Sequence, residues 1–267
     1  MILLSEPAPA KLNLALHVRG TLPDGRHRLE TVFAFCTDGD TVEAEAAGEL
    51  SLNVSGPFAE SLSDDNLVMQ AAEALRERAG IEAGAALHLK KNLPVASGVG
   101  GGSADAAATL RLLTRLWKVD PGNATVVAPK LGSDVPACLL SMSALGGGAG
   151  DELTLLDDPT IAGTPVLLVN PRIPLSTAEV FSRWHGKDSG ALGDWREGRN
   201  DLEAPAISLV PEIGEVLGWL GQQSGVTLVR MSGSGATCFA LFEAERVRDV
   251  AKAAVPARWW HLATQLR

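Results

Sequence analysis

Residues 93–108 read LPVASGVGGGSADAAA, a glycine-dense loop that runs without a break into an alanine-rich stretch. Glycine lets the backbone adopt φ > 0 and approach a ligand closely, and alanine is the strongest helix former, so the pattern demands a tight loop that delivers its chain into a helix. Successive N–H groups then converge at a helix N-terminus, where an anion such as phosphate is favoured. Ser103 can cap that helix or turn its hydroxyl to a phosphate, and Asp105 in the first turn suits the positive end of the dipole. Both readings start the helix near Ser103. The dinucleotide fingerprint GxGxxG needs Gly where Ser103 stands, and the Walker loop needs a Lys that does not follow these glycines. A mobile glycine linker is the competing reading, although linkers seldom enter a twelve-residue helical pattern directly.

With 267 residues, 46% hydrophobic and 21% charged, the chain is globular in composition and long enough for one large domain or two ordinary ones. A net charge of −9 opposes nucleic acid and anionic membrane as partners, since either needs a broad basic surface. Lys90-Lys91 and the group Arg19, Arg26, His27 and Arg28 still offer local positive charge to a small phosphorylated ligand. The absence of Tyr and an aromatic content of 4% argue against a stacking platform for single-stranded nucleic acid. Cys36, Cys138 and Cys238 lack CxxC spacing and read as core thiols of a reducing cytoplasm. No eighteen apolar residues run together, and residues 1–7 lack the features of a secretory signal, so a soluble, unexported protein is expected.

Residues 11–19 (KLNLALHVR) alternate in strand fashion, with Leu12, Leu14, Leu16 and Val18 on one face and Lys11, Asn13, Ala15 and His17 on the other. A turn at 22–25 precedes strands expected over 29–36, 40–46 and 49–54, and a helix after Asp64-Asp65-Asn66 should run to Gly80. A strand at 87–90 feeds the glycine loop, whose helix should span about 103–116, with another at 123–131. A strand is expected after Pro136, and the second glycine cluster, 146–150, reads as a hairpin turn rather than a second phosphate loop. Further strands are expected at 164–170, 226–231 and 238–242, and helices near 177–184, 205–221 and 245–254, with a polar, mobile stretch at 186–198. Together these describe an α+β chain with two lobes, divided as residues 1–155 and 156–267.

Three ordered segments, PAPAKLNLAL at 7–16, LPVASGVGGGSADAA at 93–107 and RMSGSGATCFALF at 230–242, resemble the three motifs of the GHMP small-molecule kinases. Adding DGRHRLETVF at 24–33, LGSDVPACL at 131–139 and RNDLE at 199–203 makes the resemblance nearly full-length and narrows it to members with a cytidyl-methylerythritol acceptor in non-mevalonate isoprenoid synthesis. The resemblance implies a two-lobed GHMP kinase fold with the active site in the inter-domain cleft, and transfer of the γ-phosphoryl of ATP to the acceptor's tertiary 2-hydroxyl. It gives Asp134 and Lys11 the catalytic positions, with Asn13 close by. Val95, Ala96, Ser97, Gly98, Val99, Gly100, Gly101, Gly102, Ser103 and Asp105 fall among its ATP-binding positions, with 98–103 as the triphosphate loop and Asn66 and Lys91 beside the adenosine. His27 matches the reader of the cytosine edge, and Thr177 and Phe181 line the substrate pocket.

Two departures stand out. Arg26 occupies the place where the family commonly has a base-stacking Tyr, and a guanidinium plane can stack on a base in its stead. Gly101-Gly102 replace a Ser-Ser pair that helps to hold Mg²⁺ in many GHMP kinases, so no protein metal ligand is named and the ion is expected on ATP phosphates and water. The implied partners are ATP and the small cytidyl substrate, with a monomer or weak homodimer as the assembly. Residue by residue, plainer readings exist. Asp134 could be a turn or cap residue, His27 an exposed turn residue, Thr177 a helix cap and Phe181 a core filler. Residues 233–236 could complete the substrate wall or merely turn a hairpin. Another GHMP kinase, such as a homoserine or mevalonate kinase, and a nucleotide-binding sensor without chemistry are the competing functions.

Overall fold

The computed structural model describes residues 3–62 and 66–267. In chain order the elements are β1 (Leu4–Thr21), β2 (His27–Ala47), β3 (Leu50–Ser55), α1 (Leu67–Ala79), β4 (Gly84–Lys90), α2 (Gly101–Trp117), α3 (Gly122–Leu131), α4 (Val135–Leu140), β5 (Ala144–Gly147) and β6 (Glu152–Leu155). There follow β7 (Pro165–Asn170), α5 (Thr177–Ser182), α6 (Glu203–Leu209), α7 (Glu212–Gly221), β8 (Val226–Met231), β9 (Cys238–Phe242), α8 (Glu245–Ala253) and β10 (Trp260–Gln265). They form two compact units, each assembled from three stretches of chain: residues 1–10, 38–95 and 100–141 in one, and 11–37, 96–99 and 142–267 in the other. The long strands β1 and β2 therefore pass from one unit to the other along the chain.

In the first unit β4 lies antiparallel to the far half of β2, with Val42 opposite Leu89, and parallel to β3, with Leu52 opposite Leu87. Helix α1 packs on α2 and α3, burying Ala71, Ala72 and Leu75, and α2 buries Ala104, Ala106, Ala107, Ala108 and Leu110. Its small side chains let it seat deeply, which is the structural use of the alanine run. Asn66 opens α1 as an N-cap, its Oδ1 accepting from the N–H groups of Val68 and Met69, and Gly80 closes the helix at φ 64°. Asp64 and Asp65, expected beside this start, lie outside the described residues.

In the second unit Thr31, Val32 and Phe33 of β2 pair with β5, and β5 pairs with β6 in the hairpin expected at the second glycine cluster. A separate antiparallel sheet runs in the order β10-β7-β9-β8. Its face is covered by α6 to α8, with Leu167, Val169, Ala240, Phe242, Ile213, Val216 and Leu220 at the centre of one core. Cys36, Cys138 and Cys238 are buried and form no disulfide, as expected of core thiols.

Several expectations need correction. The break foreseen between 36 and 40 is absent: β2 continues through it because Gly39 has no Cβ, which would otherwise lie 2.1 Å from the Ala8 carbonyl of the adjoining β1. The residues directly after Asp134 form α4 rather than a strand, with Pro136 pre-set for a first helical turn. The helix expected over 205–221 is two, since Pro211 drives Val210 out of helical geometry to φ −133°, ψ 87°. Strand β10 was not expected; it exists through pairing of residues 260–265 with β7. Finally, β1 has no solvent face over residues 11–18, where Lys11, Asn13 and His17 are as buried as the leucines between them.

Candidate active site

In the second unit β1 carries Lys11 and Asn13 inward on its polar side. The Lys11 ammonium donates to Asn13 Oδ1 at 2.9 Å and sits 5.3 Å from the centre of the Phe33 ring, yet the two residues are only 2% and 3% exposed. Asn13 Nδ2 donates to Thr31 Oγ1 at 2.8 Å, and the Thr31 hydroxyl donates to the Ala15 carbonyl at 2.6 Å. The Asn13 N–H donates to Ser232 Oγ, whose hydroxyl donates to the Gly98 carbonyl at 2.9 Å.

Residues 96–99 are held in the same unit by three successive carbonyls: Ser97 accepts from Thr237 N–H, Gly98 from Ser232 Oγ and Val99 from Lys11 N–H. Anchored in this way, the stretch is no linker. A Cβ on Gly98 would lie 2.5 Å from the Ser232 carbonyl and 2.7 Å from that of Gly235, so the close approach requires glycine as well as its φ of 79°. Residues 233–236 are thus the turn between β8 and β9, packed on Gly98, and Ser234 Oγ lies 2.8 Å from Thr177 Oγ1.

Thr177 does not cap α5; Ser176 does, accepting from Glu179 N–H. On that helix Phe181 stacks on the imidazole of His27 with ring centres 4.6 Å apart and planes inclined by 28°, and Trp184, which was not foreseen, meets the same ring edge-on at 5.6 Å. Burial pushes His27 below its ordinary value, so the ring is neutral near pH 7 and offers one donor and one acceptor. Arg26 is exposed, and the edges of its guanidinium pair with Asp24 at 2.8 Å and Asp151 at 3.2 Å. Such pairs lie in the guanidinium plane and leave its face open.

In the first unit, Gly100 at φ 64° turns the chain into α2, which begins at Gly101, two residues before the expected start. Ser103 is therefore the third helical residue and not the cap. The N–H groups of Gly101, Gly102 and Ser103 form the first turn, where helix geometry provides no internal acceptors. Asp105 does not lie in that turn. It is buried, 2% exposed, and its Oδ2 accepts from Lys91 at 2.6 Å. The same ammonium donates to Asp40 at 2.5 Å. Neither Lys91 nor Asp105 can meet ATP through its side chain, and both brace α2 beneath Gly101, where an added Cβ would come within 3.0 Å of Lys91 Nζ. Burial raises Asp105 to about 7 against the pull of Lys91. Burial also opposes the Lys91 charge, but Asp105 and Asp40 outweigh it and hold the ammonium above its ordinary value. Asp134 stands in a turn at the N-cap position of α4 and accepts from Cys138 N–H through its carbonyl, a placement that agrees with its plain reading as a turn or cap residue.

These carboxylates do not suit a resident divalent cation. Asp40 and Asp105 already share an internal ammonium, which would repel one, and no group of three His, Cys, Asp or Glu side chains gathers among the described residues.

Residues 66–142 match the GHMP kinase N-terminal domain family and residues 185–259 the GHMP kinase C-terminal family. The 4-diphosphocytidyl-2-C-methyl-D-erythritol kinase of Novosphingobium aromaticivorans is 52% identical, over 99% of this chain and 93% of that protein. The enzyme of the same name from Rhizorhabdus wittichii is 50% identical over 98% and 94%.

The chain belongs to the 4-diphosphocytidyl-2-C-methyl-D-erythritol kinases.

A crystal structure of a 4-(cytidine 5'-diphospho)-2C-methyl-D-erythritol kinase superposes with a TM-score of 0.85 at 33% identity, covering 98% of this chain and 99% of that one. The fold is that of the GHMP kinases. A homoserine kinase from Cytophaga hutchinsonii, 16% identical with a TM-score of 0.72, shares that fold alone. As a member of this kinase family, the chain is an ATP-using enzyme of small molecules. No helix among the described residues is long and apolar enough to cross a membrane.

Proposed function

We propose that the chain transfers the γ-phosphoryl group of ATP to the 2-hydroxyl of 4-diphosphocytidyl-2-C-methyl-D-erythritol. The observation that carries this reading is the 52% identity, over nearly the whole chain, to a kinase named for that acceptor. The acceptor oxygen attacks the γ-phosphorus as the bond to the β,γ-bridging oxygen breaks, ADP leaves, and the hydroxyl proton passes to the Asp134 carboxylate. Lys11 directs its ammonium to the charge spread over the transferring group, and Asn13 orients that ammonium. The N–H groups at the start of α2 receive phosphate oxygens. His27 reads the cytosine edge, braced by the Phe181 ring stacked on it. No residue of the chain is assigned to hold Mg²⁺; carried by ATP, it would neutralise phosphate charge. A monomer or weak homodimer in the cytoplasm, with a sequence boundary at 155 and 156 between the two matched family regions, completes the reading.

Incubation with ATP, Mg²⁺ and the cytidyl acceptor should release ADP, whereas homoserine and mevalonate should not. ADP no higher than the blank with the cytidyl acceptor refutes the assignment, and faster turnover of an uncytidylated alcohol favours a different GHMP activity.

A further inference from the structure

We infer that Thr31 is a positioning residue for phosphoryl transfer: its hydroxyl sets the orientation of the Asn13 carboxamide and, through it, the direction of the Lys11 ammonium. The inference rests on the reading of Lys11 given above. The Ala15 carbonyl can only accept, so the Thr31 hydroxyl must spend its hydrogen there. Thr31 Oγ1 then has only lone pairs left, and it accepts at 2.8 Å from the carboxamide of Asn13, which must present its NH₂ end. The oxygen end is thereby forced towards Lys11 Nζ, which can only donate, at 2.9 Å. With the carboxamide flipped, two donors would face one another at Lys11, and Thr31 would have no hydrogen for the carboxamide oxygen.

Every member of this relay is buried, so a misoriented amide would leave polar atoms without water or protein partners, which makes the single arrangement strongly preferred. The backbone of Thr31 is itself fixed by pairing with Gly146 of β5. An added Cβ at Gly146 would lie 2.9 Å from Thr31 Cγ2, so glycine there keeps the threonine methyl, and hence its hydroxyl, in this rotamer. Thr31 also borders a cavity of about 450 Å³ with Glu30, Gly147, Glu152 and Leu192. Water from that cavity could replace a hydroxyl removed by truncation, so valine, which fills the space without hydrogen bonding, is the sharper substitution.

The test compares Thr31→Val and Thr31→Ser in the full chain with ATP, Mg²⁺ and the cytidyl acceptor. Valine should lower kcat by about 10- to 100-fold with both KM values within about threefold, and serine should restore kcat to within about threefold of the parent. A valine variant that keeps its kcat, or a serine variant as impaired as valine, overturns the inference, because serine retains the hydroxyl and loses only a methyl. If the valine variant does not fold, Thr31→Cys, which fills the space with only a weak donor and acceptor, takes its place in the same comparison. An inactive parent refutes the proposed reaction instead, and the relay is then judged by NMR. The two Asn13 side-chain N–H signals should be distinct and slow to exchange in the parent and the serine variant, and fast to exchange in the valine variant. Signals unchanged by valine overturn the relay itself.

Discussion

Lys91 and Asp105 form a 2.6 Å ion pair in which neither side chain reaches solvent, and the same ammonium serves Asp40 at 2.5 Å. One positive charge thus answers two carboxylates beneath the first turn of α2. Removing one partner of such a cluster leaves buried charge without compensation.

Lys91→Met should therefore lower unfolding stability by about 3–5 kcal/mol in urea titration, while the folded fraction keeps its affinity for ATP. An unchanged urea midpoint together with weakened ATP binding would return Lys91 to the nucleotide.

Asp105 is raised to about 7 in the folded chain, above the value of about 3.9 it takes when unfolded. Between those values the folded state holds a proton that the unfolded state releases, so this contribution to stability is complete below about pH 4 and is lost as pH rises to about 7. Asp105→Asn should flatten the fall of stability over that interval, by about 1.4 kcal/mol for each pH unit across which the proton is retained. Urea midpoints of parent and variant at pH 4.5 and pH 7.5 measure it; parallel changes in the two proteins would show that Asp105 is not the titrating group.

Asp134→Asn should reduce turnover by about 100-fold or more while nucleotide binding persists, as expected for loss of a proton acceptor in phosphoryl transfer. Steady-state kinetics beside calorimetric ATP titration separate the two effects. A rate equal to that of the parent removes Asp134 from the mechanism.

Phe181→Ala should raise KM for the cytidyl acceptor by about tenfold and leave KM for ATP in place, because His27 loses the ring that fixes it, a stacked pair worth about 0.5–1.5 kcal/mol beyond its area. Arg26→Ala should change the acceptor KM much less, since its exposed guanidinium stays hydrated and would gain little from stacking. The reverse ranking would make Arg26 the stacking partner after all.

Much of the site is legible in residue order. The loop-to-helix junction, the Lys11 and Asn13 pair on one side of a strand and the His27 turn all follow from local pattern. What local pattern misjudges is which polar side chains face a ligand and which face the protein. Lys91 and Asp105 stand beside and within the glycine motif, yet both are consumed by one another. Their distance to Asp40, fifty-one positions before Lys91, is invisible until β2 and β4 pair. Trp184 and Thr31 were missed for the same reason, each gaining its place from a contact remote in sequence.

By itself, the sequence determined the family, the order of the main elements and the conformation-limited positions, because glycine, proline, alanine runs and capping side chains act through neighbours along the chain. Tertiary structure alone decided that β1 has two buried faces, that residues 260–265 form a strand, that Asp105 keeps a proton near neutrality, and that the Asn13 amide has one orientation. Those outcomes depend on desolvation and on hydrogen-bond partners brought together from distant segments. Neither quantity exists until the chain has folded.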